Sequence, residues 1–85
     1  MAGQIRRHQT EWEGLRLVIE EYPEHFHIFV YDPIECEILY TAERTDLDGA
    51  KIAAVNFAAA TRLGPRHDLK ADVIAAMLIW EPVEK

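Results

Sequence analysis

The sequence contains a single cysteine, Cys36, among its 85 residues. An intrachain disulfide needs two thiols, and dithiol redox motifs, multi-thiolate zinc sites and iron–sulfur clusters also need more than one. The cysteine count therefore excludes all of these. Cys36 has no activating histidine fixed beside it in the sequence, so we expect no thiol nucleophile at this position.

Serine is absent, which excludes a serine nucleophile, and glycine occurs only 4 times, always isolated, so no glycine-rich phosphate loop is present. Glutamates are plentiful. However, a catalytic carboxylate pair needs a walled pocket that shifts one of the two pKa values, and a domain this small leaves little room for one. We expect a protein that is not an enzyme and carries no cofactor.

Basic residues are outnumbered, with nine Lys and Arg against fifteen Asp and Glu, and the net charge is −6. Nucleic-acid phosphates attract basic patches, so this acidic protein is poorly suited to bind them. A local patch at Arg6, Arg7 and Arg16 still leaves one alternative function open, a nucleic-acid-binding module that uses a sheet face.

Long apolar runs are also absent. The longest run, residues 75–80, is too short to cross a bilayer, and residues 1–12 lack the apolar stretch of a signal peptide. Together with the low cysteine content, these features predict a cytoplasmic protein with no membrane partner.

Apolar residues make up 49% of the chain and charged residues 28%, a balance typical of a folded globular domain. Residues 1–10 are polar and lack periodicity, which predicts a flexible arm, and residues 11–85 should form a single α+β domain. A domain of this size buries only about 60–65% of its unfolded surface. Without a disulfide, such a domain often gains stability from a partner chain, so we expect a homodimer.

Three segments place strongly apolar side chains at every second position, and this period of two predicts β-strands. They span residues 15–20, 26–31 and 37–42, and Pro23 and Pro33 lie in the turns between them. The sequence therefore predicts an antiparallel three-stranded meander.

The turns suggest a register for this meander. Pairing Tyr22 with His25 and Asp32 with Cys36 collects the strongest apolar residues on one face, whereas a slip of one residue would scatter them. The predicted core face consists of Leu17, Ile19, Ile28, Val30, Ile38 and Tyr40.

An alanine-rich helix follows over residues 47–62. Thr45 and Asp46 are its candidate N-caps, and Gly64-Pro65 should end it. This helix is apolar almost all round, so it must be covered on more than one side. We expect it to pack on the core face of the sheet.

Residues 68–80 predict a second helix that ends before Pro82, although the last four of them also suit a strand. The predicted architecture is thus β-β-β-α-α. The apolar face of the second helix would carry Leu69, Val73, Ala76, Met77 and Trp80.

Two surfaces are candidates for association. The second face of the sheet would carry an apolar row of Val18, Phe29 and Leu39 flanked by Tyr31, and the first helix would present Ala53 and Phe57 on its alanine side. Trp80 is a further interface candidate. An apolar, aromatic centre with a polar rim is typical of interfaces. We predict a small non-enzymatic protein-interaction module that forms a homodimer or binds another protein.

A weak metal site is a further alternative. His25 and His27 lie two apart on one predicted strand and therefore point the same way. The predicted register sets Glu20 opposite His27 and Glu43 opposite His25. Imidazole and carboxylate groups together can bind zinc, although exposed histidines beside acidic residues also arise by simple cross-strand attraction.

Overall fold

A computed structural model describes residues 6–84 as a five-stranded antiparallel sheet with two helices on one side. The α+β class is confirmed, but the predicted count of three strands is wrong. The strands lie side by side in the order β4-β3-β2-β1-β5. Along the chain the elements are β1 (Arg6–Trp12), β2 (Leu15–Glu21), β3 (Phe26–Asp32), β4 (Glu37–Arg44), α1 (Leu47–Leu63), α2 (Ala71–Met77) and β5 (Glu81–Glu84).

The first additional strand, β1, occupies the second half of the segment predicted to be a flexible arm and extends to Trp12. Residues 6–10 pair with β2 on one side, and residues 6–9 pair with β5 on the other; residues 1–5 lie outside the described residues. Glu13 and Gly14 both have positive φ, as the two-residue turn of a tight hairpin requires. β1 forms because this hairpin places it beside β2, where backbone pairing needs no apolar alternation.

The register predicted between β2 and β3 is confirmed. Leu17 lies opposite Val30 and Ile19 opposite Ile28. The turn between the strands closes with a hydrogen bond from the Tyr22 amide to the His25 carbonyl, at 2.9 Å.

The register predicted between β3 and β4 is wrong. Asp32 lies opposite Glu37, one residue later than predicted, and a β-bulge then shifts the ladder again, so that Val30 faces Tyr40. The turn is longer because the Asp32 side chain accepts hydrogen bonds from two amides within it and Cys36 adopts a positive φ. As a result, Ile38 leaves the predicted core face and is 55% exposed.

Helix α1 begins at the N-cap Asp46, whose side chain accepts a hydrogen bond from the Gly49 amide at 2.8 Å, and it ends at Gly64. As predicted, it packs on the core face of the sheet. Small alanine side chains allow a close approach between helix and sheet, and the core closes around them. The fully buried members are Leu15, Leu17, Ile19, Ile28, Val30, Ala50, Ala54, Val55, Ala58 and Ala59.

The second helix is shorter than predicted. α2 spans only Ala71–Met77, and the chain then continues into β5, an edge strand that contains Pro82. An edge strand tolerates proline because its outer side needs no amide donor. Within residues 6–84, neither helix has the length and apolar character needed to cross a membrane.

Helix α2 faces the opposite way from the prediction. Ile74 and Ala75 pack towards the core, whereas Val73 and Met77 of the predicted apolar face are exposed. The neighbour of α2 is α1 rather than the sheet. The side of α2 that faces α1 therefore carries Ile74 and Ala75, and Val73 and Met77 turn outward.

Core packing predicts a clear contrast between two isoleucines. Ile28→Ala should lower the free energy of unfolding by about 2–5 kcal/mol, because Ile28 is fully buried and its truncation leaves a cavity. Ile34→Ala, at a side chain that is 81% exposed, should change it by no more than about 0.5 kcal/mol. Urea unfolding at one protein concentration measures both, and equal effects would contradict this assignment of the core.

Candidate interaction surface

One face of the sheet has no helix on it within residues 6–84. α1 contacts β2, β3 and β4 through the core face, and α2 contacts α1. We call the opposite side the open face. Strand pairing arranges its side chains in rows that run across the strands.

Three rows make up the middle of the open face. The central row consists of Gln9, Val18, Phe29 and Thr41, and Glu81 of β5 extends it beyond Gln9. On one side lies the Arg16 row, which consists of Glu11, Arg16, Tyr31 and Ile38. On the other lies the Glu20 row, which consists of Arg7, Glu20, His27 and Glu43.

Glu20 is the most buried charged side chain of this face, with a residue exposure of only 8%. Its Oε2 accepts a hydrogen bond from Arg7 Nε at 2.8 Å and lies 2.7 Å from Arg7 Nη2 in an ion pair, and its Oε1 accepts a hydrogen bond from the Tyr22 hydroxyl at 2.8 Å. The hydrogen bond to Glu20 raises the pKa of Tyr22 above its usual value. A buried carboxylate needs such partners, so Arg7 and Tyr22 make its position on this face possible.

Arg16 forms a second ion pair across β1 and β2. Its Nη2 lies 3.1 Å from Oε2 of Glu11, and its guanidinium carbon lies 6.0 Å from the centre of the Tyr31 ring. This distance permits a cation–π contact between Arg16 and Tyr31. The Arg16 row thus places an ion pair beside an aromatic side chain.

The three rows enclose a shallow depression. Its lining combines apolar groups from β2, β3 and β4 with both arginines and Glu20. Phe29 stacks on His27, with ring centres 4.5 Å apart. The depression therefore has an aromatic floor and charged edges, and it is open to solvent.

The structure places three of the predicted sheet-face residues, Val18, Phe29 and Tyr31, on the open face. Leu39 is the bulged residue and packs against the core. Thr41 takes the place opposite Phe29, and Ile38 adds an exposed apolar side chain opposite Tyr31. A bulge depends on how a strand pairs with its neighbour. The period-two pattern of β4 therefore could not predict the bulge at Leu39.

The interface candidates on the helical side are covered from within the chain. Phe57 stacks on Tyr40, with ring centres 4.2 Å apart. Trp80 donates from Nε1 to the Ala75 carbonyl at 3.0 Å, and Ala53 packs against the core. These three residues are half-buried, so they present less free surface than predicted.

The candidate metal ligands do not converge. The β3–β4 register sets Glu43 opposite His27 rather than His25, and His25 stacks on Tyr22 with ring centres 4.9 Å apart. Glu20 is engaged by Arg7 and Tyr22. In the described part of the chain, no group of three or more His, Cys, Asp or Glu side chains is placed to hold a metal ion.

Charge pairing also weakens the nucleic-acid alternative. The two arginines of the open face each contact a glutamate, and Glu43 and Glu81 add negative charge to the same face. A phosphate backbone would have to displace these ion pairs. Arg7, which sequence reasoning assigned to a flexible arm, instead completes the open face, because β1 pairs with β2.

Comparisons with protein-family models, with curated proteins and with solved structures found no match.

The Glu20 contacts predict a stability effect. Arg7→Met removes both Arg7 contacts from a nearly buried carboxylate and should lower the free energy of unfolding by about 1–3 kcal/mol. Arg66→Met removes the same charge from an exposed loop residue and should cost no more than about 0.5 kcal/mol. Urea unfolding of both variants tests this, and equal losses would show that Arg7 contributes only its charge.

Proposed function

We propose that this protein is a small non-enzymatic interaction module that works as a homodimer, with the open face as its contact surface. The observation that carries the proposal is the position of Val18, Phe29, Tyr31 and Ile38 on a face that neither helix covers.

The composition of the open face supports this proposal. Protein interfaces favour an apolar and aromatic centre enclosed by polar groups that exclude water. Phe29 and Val18 lie in the central row, and the two ion pairs flank them. Tyrosine and arginine, which often dominate binding energy, are both present.

The size of the domain supports it as well. Both helices lie on one side of the sheet, so among residues 6–84 only one sheet face is covered by helices. A second copy on the open face would convert the uncovered side into a second buried layer. Small domains without a disulfide commonly gain stability in this way.

The charged groups of the face favour an interaction role over catalysis. Both oxygens of Glu20 accept hydrogen bonds, and Arg16 is held by Glu11. Such pairs orient side chains and select a partner with complementary charges.

A dimer at the open face makes a direct prediction. Phe29→Asp should weaken dimerisation about thirtyfold or more, because it places a charge in the centre of the interface. Ile38→Asp, on the same face, should weaken it as well. Analytical ultracentrifugation over a range of concentrations measures the dimer dissociation constant, and circular dichroism checks that each variant is folded.

Two variants serve as matched controls. Ile34→Asp introduces the same charge in the β3–β4 turn, and Met77→Asp introduces it on the exposed side of α2, where the side chain is 75% exposed. Both should leave the dimer intact. A wild-type monomer would refute the proposal. If only Met77→Asp disrupts the dimer, the interface lies on α2 and not on the open face.

A further inference from the structure

The two ion pairs of the open face have opposite polarity. In the Arg16 row the acid, Glu11, is on β1 and the base is on β2. In the Glu20 row the base, Arg7, is on β1 and the acid is on β2. The central row separates them, with each ion pair two residues, or about 7 Å, away along the strands.

Because the two ion pairs have opposite polarity, a two-fold axis can set groups of opposite charge against each other across a dimer. If the axis runs along the central row, between two sheets packed face to face, it exchanges the two flanking rows. Arg16 then faces Glu20 of the partner subunit, and Glu11 faces Arg7 of the partner subunit. The central row meets its own copy, so that Phe29 and Val18 each pack against the same residue.

We infer that the partner of the open face is a second copy of this chain, related by a two-fold axis along the central row. This inference rests on the proposed function. It adds the arrangement of the dimer and the charges that select it. Four intermolecular pairs of opposite charge would form, two on each side of an apolar seam.

Other axes match the surface less well. An axis parallel to the strands between β1 and β2 also opposes the charges, but it sets Phe29 over Glu81 of the partner subunit. An axis parallel to the strands between β2 and β3 sets Arg16 over Tyr31 of the partner subunit and Glu11 over its Ile38. The axis along the central row opposes both ion pairs and sets Phe29 and Val18 on their own copies. Its mismatches, Ile38 over Glu43 of the partner subunit and Glu81 over Glu81 of the partner subunit, lie on the two edge strands.

Reversing one ion pair at a time tests this arrangement without changing the net charge. The first variant, Glu11→Arg with Arg16→Glu, keeps the contact within the chain but sets like charges against each other across the dimer. The second, Arg7→Glu with Glu20→Arg, does the same from the other row. Each variant alone should dimerise about tenfold more weakly than the wild type, or worse.

Mixing the two variants should restore association, because all four intermolecular pairs again have opposite charge. A single chain with all four substitutions should also regain the homodimer. Ultracentrifugation of each variant, of the mixture and of the four-substitution chain measures these outcomes. Higher salt should tighten the dimer of the first variant and loosen that of the wild type, because salt screens repulsion in one and attraction in the other.

The result that overturns the inference is distinct from failure of the proposed function. If Phe29→Asp disrupts the dimer but the first variant dimerises as tightly as the wild type, the open face is the interface and the axis is wrong. If the wild type is a monomer, both are wrong. The first variant alters only exposed or half-exposed positions, so it remains informative even if the second, which changes the buried Glu20, fails to fold.

Discussion

The packing of α1 on the central strands is the contact on which the rest of the structure depends. Every fully buried large side chain of the described chain belongs to the sheet's core face, to the β1–β2 hairpin or to α1. Alanines at the contact let the helix approach the sheet closely, and α2 then packs on α1 rather than on the strands. With both helices on one side, the described residues form one core, and they leave the other sheet face without a helix on it.

The open face is organised by cross-strand pairing rather than by a cavity. Adjacent strands hold opposite charges directly opposite each other, which neutralises both arginines and allows Glu20 to be nearly buried. The same pairing sets Glu20, His27 and Glu43 in one row, but Arg7 and Tyr22 engage Glu20, and both arginines of this face are paired with glutamates. The aromatic centre with fixed ion pairs on either side is the arrangement on which the proposed interaction role rests.

Sequence reasoning was accurate where side-chain burial alternates strongly. The β2–β3 register and the position of α1 followed from such patterns, because a slip would have exposed Leu17 or Ile28. It was wrong where backbone geometry decided the outcome. The Asp32 turn and the bulge at Leu39 moved Ile38 to the open face. β1 and β5 were missed because their side chains are mostly polar. β1 forms by pairing with β2, and β5 forms by pairing with β1.

By itself, the sequence determined the α+β class, the strands of the β2–β3–β4 meander, the alanine-rich helix and the net negative charge, since each follows from local periodicity, composition or capping. Tertiary structure alone decided which residues share the open face. The ion pairs between β1 and β2 depend on the register of the hairpin that joins these strands. The exposure of Met77 depends on which side of α2 packs against α1. Such relations are non-local, and a pattern read along one segment carries no information about the element that will lie beside it.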